Sequence, residues 1–173
     1  HDAGFNFIRG SHYPHDPAFL DACDRLGLAF WSEIPFWGIG GFTKEETGAK
    51  WNPSAYPSRP EDQAEFEANV IRQLQEMIRI HRNHPSVVLW SIGNEFGYST
   101  PELMPKVKAF VDRLKAVVHA EDPTRPCGQG IGFGNWPQLN DSTEVIGLNG
   151  GNSDRRFTVE SPVVSMQSEY GSG

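Results

Sequence analysis

Short apolar runs alternate with amphipathic segments along most of the 173 residues. The apolar runs predict six strands, at residues 5–10, 28–35, 87–94, 125–130, 145–149 and 163–171. Apolar residues at helical spacing predict helices at 17–27, 61–83 and 103–118. Ser99 or Thr100 is expected to cap the third helix, with Pro101 in its first turn. This βα order predicts an α/β fold with a parallel sheet, and the pattern alone leaves a Rossmann-like fold and a barrel both open.

Composition and charge limit the classes of partner that the protein is expected to bind. The net charge is −7, and the 15 lysines and arginines are scattered rather than gathered into a basic stripe, which argues against binding to nucleic acid. No run approaches the roughly 18 apolar residues of a membrane span, so no membrane partner is predicted. The two cysteines lack the CxxC spacing of a metal site and signal no disulfide framework.

Polar residues cluster where the predicted strands end. Active sites of parallel α/β folds lie at the carboxyl ends of their strands. The residues at these ends are Arg9, Ser11, His12, Glu33, Asn94, Glu95, Gln129, Asn149, Ser168 and Glu169. Two carboxylates facing one mouth are what glycoside hydrolysis requires. A magnesium or calcium site would need more clustered oxygen ligands, so no metal ligands are assigned.

Four motifs together resemble one known family. They are "IRGSHYP" at 8–14, "CDRLGLAFWSEIP" at 23–35, "RNHPSVVLWSIGNE" at 82–95 and "SEYG" at 168–171. In this order and spacing they resemble the catalytic barrel of glycoside hydrolase family 2, which contains β-galactosidases, β-glucuronidases and β-mannosidases. The resemblance implies a (β/α)8 TIM barrel and a retaining mechanism that uses no cofactor.

The resemblance also implies roles for individual residues. Glu95 matches the general acid/base, and Glu169 matches the nucleophile. Asn94 would bind the sugar 2-hydroxyl, and His12 would line the sugar pocket. Because the nucleophile must be ionised, it needs a cationic neighbour, and Arg9 is the expected one.

Three further residues are assigned to substrate binding: Glu33, Trp37 and Asn149. Glu33 either contacts the substrate directly or supports other site residues through hydrogen bonds. Trp37 lies in a long loop, at 34–60, whose aromatic residues Trp51 and Tyr56 could join it in a wall for sugar rings. The alternative is that these rings pack the loop onto the barrel.

The extent of the match predicts a single, incomplete catalytic barrel domain over residues 1–173. Aligned with the family, the strands correspond to the second to the seventh, without the first and eighth. We therefore expect the remaining barrel strands and flanking β-sandwich domains on a longer parent chain, with oligomerisation possible. One departure is "LNGG" at 148–151, where the family usually has a tyrosine near the nucleophile.

The sequence thus predicts a retaining β-glycosidase acting on terminal β-linked sugars of oligosaccharides or glycosides. "WSIGNE" favours a β-galactosidase, and a β-glucuronidase or β-mannosidase is the alternative within the family. A non-catalytic alternative is a pseudoenzyme that binds carbohydrate. A weaker rival is a metal-dependent hydrolase that uses His81, His84 and a carboxylate.

Overall fold

Six strands and three α-helices alternate in the computed structural model, which describes residues 2–37, 55–97, 99–131, 137–149 and 163–169. The strands are β1 (Phe7–Gly10), β2 (Ala29–Glu33), β3 (Val87–Asn94), β4 (Cys127–Ile131), β5 (Val145–Leu148) and β6 (Val164–Gln167). The helices are α1 (Pro17–Leu26), α2 (Pro60–His81) and α3 (Met104–Glu121), and a short 3-10 helix spans Pro137–Leu139. All six predicted strands and all three predicted helices are present.

The strands form one parallel sheet in which each strand pairs with the next along the chain, in the order β1-β2-β3-β4-β5-β6. A Rossmann-like sheet would instead reverse its strand order near the centre. The sequential order therefore confirms the predicted class, a curled part of a (β/α)8 TIM barrel with helices on its outer face.

The two faces of the sheet bury two separate apolar clusters, because successive side chains of a strand point to opposite faces. On the outer face Phe30 and Trp90 pack in the main core with the helices. On the inner face Trp31, Leu89 and Val145 form a smaller cluster. The inner cluster lies one layer below the polar ends of the same strands and forms an apolar layer beneath them.

The helix ends follow local chemistry. Asp16 accepts a hydrogen bond from the Ala18 amide at the start of α1, and Gly27 ends that helix in the left-handed conformation. The predicted start of α3 was wrong. Leu103 is its N-cap residue and makes no side-chain cap bond, because the chain first closes a turn in which the Leu103 and Met104 amides both bond the Thr100 carbonyl.

None of the described helices is long and apolar enough to cross a bilayer.

A buried carboxylate ties the sheet to α3 where β3 and β4 begin. Asp122 accepts hydrogen bonds from Trp90 Nε1 at 2.9 Å, Arg125 Nη1 at 2.6 Å and the Thr124 amide at 2.9 Å. Arg125 in turn donates to the Val87 carbonyl. Burial alone would raise the pKa of Asp122, but the hydrogen bonds outweigh it and hold that pKa well below its usual range.

We expect Asp122→Asn to lower the free energy of unfolding by about 2 kcal/mol, the scale of lost hydrogen bonds to a charged group. Because the folded pKa lies below the ordinary 3.8, this stabilisation is complete above pH 3.8 and is lost as the pH falls towards the folded pKa. Calorimetry between neutral pH and pH 3 would show the difference shrinking with acid. Asp112→Asn, at an exposed ion pair with Lys108, is the control and should change stability by less than about 0.5 kcal/mol.

Candidate active site

All eight residues assigned to the site from sequence meet at the carboxyl ends of the strands and belong to one network of contacts. They are Arg9, His12, Glu33, Trp37, Asn94, Glu95, Asn149 and Glu169. They come from β1, β2, β3 and the segments that follow β1, β2, β3, β5 and β6. Curling of the parallel sheet brings these ends to one mouth.

Arg9 is the centre of the network, and each of its five N–H groups has a partner. Nε and Nη2 donate to the Glu33 carboxylate at 3.0 to 3.1 Å. Nη2 also donates to Asn94 Oδ1 at 2.8 Å. Nη1 donates to Glu169 Oε1 at 2.6 Å and to Asn149 Oδ1 at 3.2 Å. The guanidinium thus joins four other strands or strand ends through charge-assisted hydrogen bonds.

Glu33 is the most enclosed of the three strand-end glutamates, since its side chain is 0% exposed. Besides Arg9 it contacts His12 Nδ1 at 2.9 Å. It also accepts hydrogen bonds from Trp31 Nε1 at 3.1 Å and Ser91 Oγ at 2.9 Å. A buried carboxylate is tolerated only when it is paired and hydrogen-bonded in this way.

Glu95 occupies a special backbone position at the end of β3. Its φ is 51°, in the left-handed region, and its amide is fixed by a 2.8 Å hydrogen bond to the Gly130 carbonyl. Two residues earlier, Gly93 has φ 134°, which lets the chain turn past Phe36. Strained non-glycine residues cluster at functional sites. The half-buried Glu95 side chain accepts a 3.0 Å hydrogen bond from Asn149 Nδ2.

Glu169 presents its carboxylate beside Arg9 and is 38% exposed. His12 Nε2 lies 3.8 Å from the same Oε1 atom. Asn149 links the two accessible glutamates, because it donates to Glu95 and accepts from Arg9 and from Ser168 Oγ. Glu95 and Glu169, which both reach solvent, are therefore connected through Asn149 and Arg9.

Trp37 and His12 stack in parallel, with ring centroids 5.0 Å apart and an interplanar angle of 6°. Trp37 is 47% exposed, so one face of its ring remains available at the mouth. Tyr56 is instead buried and donates to Glu67, so for this residue the structure favours the alternative in which the ring packs the loop, here against α2. Trp51 lies outside the described residues.

Three residues of the network were missed from sequence: Trp31, Ser91 and Gly130. Trp31 stands two residues before Glu33 on one strand, so alternation of faces was a usable signal. Gly130 makes room for the network, since a Cβ there would overlap Asn94 Oδ1 and lie 2.6 Å from Arg9 Nη2.

The histidines of the predicted metal-dependent rival are engaged elsewhere. His81 is buried and contacts Ser32 Oγ, and burial lowers its pKa. His84 Nδ1 lies 2.7 Å from Asp24 Oδ2 before β3 begins. Since β3 has eight residues, His84 is about 25 Å from the polar mouth. Among the described residues, Asp21, Asp24 and His84 are the group with metal-ligand spacing, and it excludes His81.

Comparison with known proteins identifies similar sequences. The family described as "Glycosyl hydrolases family 2, TIM barrel domain" matches residues 1–143. A β-glucuronidase of Bacteroides fragilis is 37% identical over 125 residues, which are 72% of this chain and 16% of that protein. A β-galactosidase of Pectobacterium atrosepticum is 32% identical over 124 residues, or 70% of this chain and 10% of that protein.

Solved structures show the same similarity. The crystal structure of a Bacteroides uniformis β-glucuronidase aligns with a TM-score of 0.69 and 32% identity, covering 87% of this chain and 17% of that one. Bacteroides uniformis β-glucuronidase 2, covalently bound to cyclophellitol-6-carboxylate aziridine, aligns with a TM-score of 0.67, 32% identity and the same coverage. The chain thus spans less than a fifth of the length of these relatives.

We expect Gly130→Ala to displace Arg9 and Asn94 by about 1 Å and to destabilise the fold by about 1–3 kcal/mol, because the added methyl group overpacks a fixed polar layer. Gly128→Ala is a matched control on the same strand and face, where the methyl group would meet the flexible end of Leu89. Crystal structures and thermal unfolding of both variants measure the effect. An unchanged 2.8 Å contact between Arg9 and Asn94 in Gly130→Ala would contradict this prediction.

Proposed function

Because the chain belongs to the TIM barrel domain family of the family 2 glycosyl hydrolases, we propose that it carries the active site of a retaining β-glycosidase. Its substrates are glycosides or oligosaccharides with a terminal β-linked sugar. Glu95 is the general acid/base and Glu169 is the nucleophile.

One observation carries the proposal: two solvent-reaching glutamates are joined through the same buried asparagine and arginine. Asn149 bonds Glu95 and Arg9, and Arg9 bonds Glu169. A retaining glycosidase needs two carboxyl groups about 5 to 5.5 Å apart across the scissile bond. Because one asparagine and one arginine bridge Glu95 and Glu169, the arrangement supports such a close approach of the two carboxyl groups.

In the first step, Glu169 attacks the anomeric carbon while Glu95 protonates the leaving oxygen. The C–O bond to the aglycone breaks, and a glycosyl ester forms on Glu169. The 2.6 Å contact with Arg9 orients the attacking carboxylate. This contact supplies an orienting partner where the sequence lacks the tyrosine usual for the family.

In the second step, Glu95 takes a proton from water, and that water attacks the anomeric carbon to release the sugar and restore Glu169. Asn94 Oδ1 accepts from both Arg9 and Asn149, which fixes the amide orientation. Its Nδ2 group is then the donor that serves the sugar 2-hydroxyl. His12 and the exposed face of Trp37 line the sugar pocket.

The sugar has two candidates. The sequence motif "WSIGNE" favours a β-galactoside. The β-glucuronidase of Bacteroides fragilis is more similar to this chain than the β-galactosidase of Pectobacterium atrosepticum, at 37% against 32% identity, which favours a β-glucuronide. The two sugars differ at C6, where glucuronic acid carries a carboxylate.

Covalent labelling tests the mechanism and the sugar together. The full-length protein that contains these residues would be incubated with 2-fluoro-glycosyl fluorides of galacto, glucurono, gluco and manno configuration, and with cyclophellitol-6-carboxylate aziridine. Peptide mass spectrometry is expected to place one label per chain on Glu169, from the sugar of the matching configuration. Glu169→Gln should remain unlabelled. A folded protein that none of these probes labels would instead support a carbohydrate-binding pseudoenzyme.

Leaving-group dependence tests Glu95. In Glu95→Ala, kcat for a methyl or phenyl glycoside should fall by about 10²- to 10⁴-fold, the usual contribution of general acid catalysis. A 2,4-dinitrophenyl glycoside should retain a rapid first step, because its leaving group needs no protonation. Glu169→Ala should lose turnover of both substrates. Equal losses of kcat/KM for the two substrates in Glu95→Ala would refute the acid role, because kcat/KM reports the first step and excludes the second step, in which Glu95 acts as base.

A further inference from the structure

We propose that Glu33 is a positioning residue, which holds Arg9 against the nucleophile and orients the His12 ring at the sugar pocket, without touching the substrate. The inference rests on the proposed function and adds a third glutamate to the site. It decides between the two roles that the sequence leaves open for this residue.

Burial and saturation exclude direct substrate contact by Glu33. Its side chain is 0% exposed. A carboxylate offers about four lone-pair positions. The five donor atoms around it are Arg9 Nε, Arg9 Nη2, His12 Nδ1, Trp31 Nε1 and Ser91 Oγ. No acceptor position is left for a substrate hydroxyl.

Glu33 sets the direction of the Arg9 guanidinium. The guanidinium is planar, and its donors form a rigid fork. Glu33 holds the edge formed by Nε and Nη2, at 3.0 to 3.1 Å. Nη1 lies in the same plane, away from the edge that Glu33 holds, and it points at Glu169 Oε1, 2.6 Å away. The orientation of the nucleophile therefore depends on a carboxylate that it does not contact.

Glu33 also determines which nitrogen of His12 carries a proton. An ionised carboxylate only accepts hydrogen bonds, so the 2.9 Å contact places a proton on His12 Nδ1. The other ring nitrogen, Nε2, then faces the Glu169 carboxylate from 3.8 Å. Stacking on Trp37 fixes the ring plane. Nε2 is therefore held at the mouth, within reach of a sugar hydroxyl beside Glu169.

Asp122 provides a matched control for the purely structural effect of a buried carboxylate. Like Glu33, it accepts hydrogen bonds from a tryptophan indole and an arginine, in its case Trp90 and Arg125. It lies where β3 and β4 begin, at the opposite ends of these strands from the site residues. Neutralising Asp122 should therefore cost stability without changing the chemistry of correctly folded molecules.

The test uses Glu33→Gln in the full-length protein. Glutamine keeps the size of the side chain but presents an NH2 group to donors. Labelling by the 2-fluoro-sugar that reacts with the wild type should still reach one label per chain, and its rate constant should fall about 10- to 100-fold, as for lost outer-shell partners of metal ligands. Asp122→Asn should label at the wild-type rate. A wild-type rate in Glu33→Gln, or fewer labels per chain at an unchanged rate, would overturn the inference.

Leaving groups separate this role from acid catalysis. Because Glu33 acts through the nucleophile, phenyl and 2,4-dinitrophenyl glycosides should slow by similar factors in Glu33→Gln, unlike in Glu95→Ala. A loss confined to the phenyl glycoside would contradict the proposal. If Glu33→Gln does not fold, Ser91→Ala serves as a second variant, because it removes one hydrogen bond to Glu33 and keeps the charges of Glu33 and Arg9. It should slow labelling by roughly fivefold. An unchanged labelling rate in that variant would overturn the inference.

A crystal structure of Glu33→Gln gives a readout that does not require activity. The contact between Arg9 Nη1 and Glu169 Oε1 should be lost or lengthened well beyond 2.6 Å. Its preservation would refute the positioning role. If the wild type is not labelled by any probe, the proposed function fails, and this structural comparison still decides the role of Glu33.

Discussion

The burial of the Arg9 charge is the constraint on which the site depends. The side chain is 6% exposed, and moving such a charge out of water costs several kcal/mol unless it is fully paired. All five of its N–H groups are used, by partners on or after β2, β3, β5 and β6. The Trp31 ring lies under the guanidinium, 5.3 Å from its carbon to the ring centroid. Packing of the strands and assembly of the site therefore depend on each other, because the Arg9 charge is fully paired only when these strand ends are in register.

Alternation along the strands separates the two tasks of the sheet. Outward residues such as Phe30 and Trp90 bind the helices, and inward residues below the mouth form the small cluster of Trp31, Leu89 and Val145. Above that cluster, β4 contributes only glycine to the inner face, at Gly128 and Gly130. The absent side chains on this strand are replaced by the long side chains of its neighbours. Glycines on one strand thus leave the space that large polar side chains of the adjacent strands need in a close-packed interior.

Much of this arrangement could be predicted from local signals. Apolar runs located the strands, and the rule that parallel α/β sites lie at carboxyl strand ends collected seven of the eight site residues, all except Trp37, which was assigned from its loop. The topology within the α/β class needed the pairing itself, which periodicity does not encode. Hydrogen bonds between strands were also beyond prediction, because they depend on register: Ser91 stands opposite Glu33 in the β2–β3 pair, whose register shifts between Phe30 and Trp31. Ser91 was missed for this reason. The cap expected for α3 was wrong because a local turn at Thr100 precedes the helix. The choice between the two alternatives for Tyr56 needed its tertiary contact with Glu67.

Sharing one arginine between two glutamates has a consequence for the charge of the site during the proposed reaction. With Glu33 and Glu169 ionised and Arg9 positive, the three side chains together carry one excess negative charge. An oxocarbenium-like sugar would bring the opposite sign to this centre as its bond breaks, and the sum would become zero. Formation of the glycosyl ester removes the charge of Glu169 and leaves Arg9 and Glu33 as a neutral pair. In the intermediate these three side chains would therefore exert no net electrostatic attraction on the sugar that would oppose its release by water.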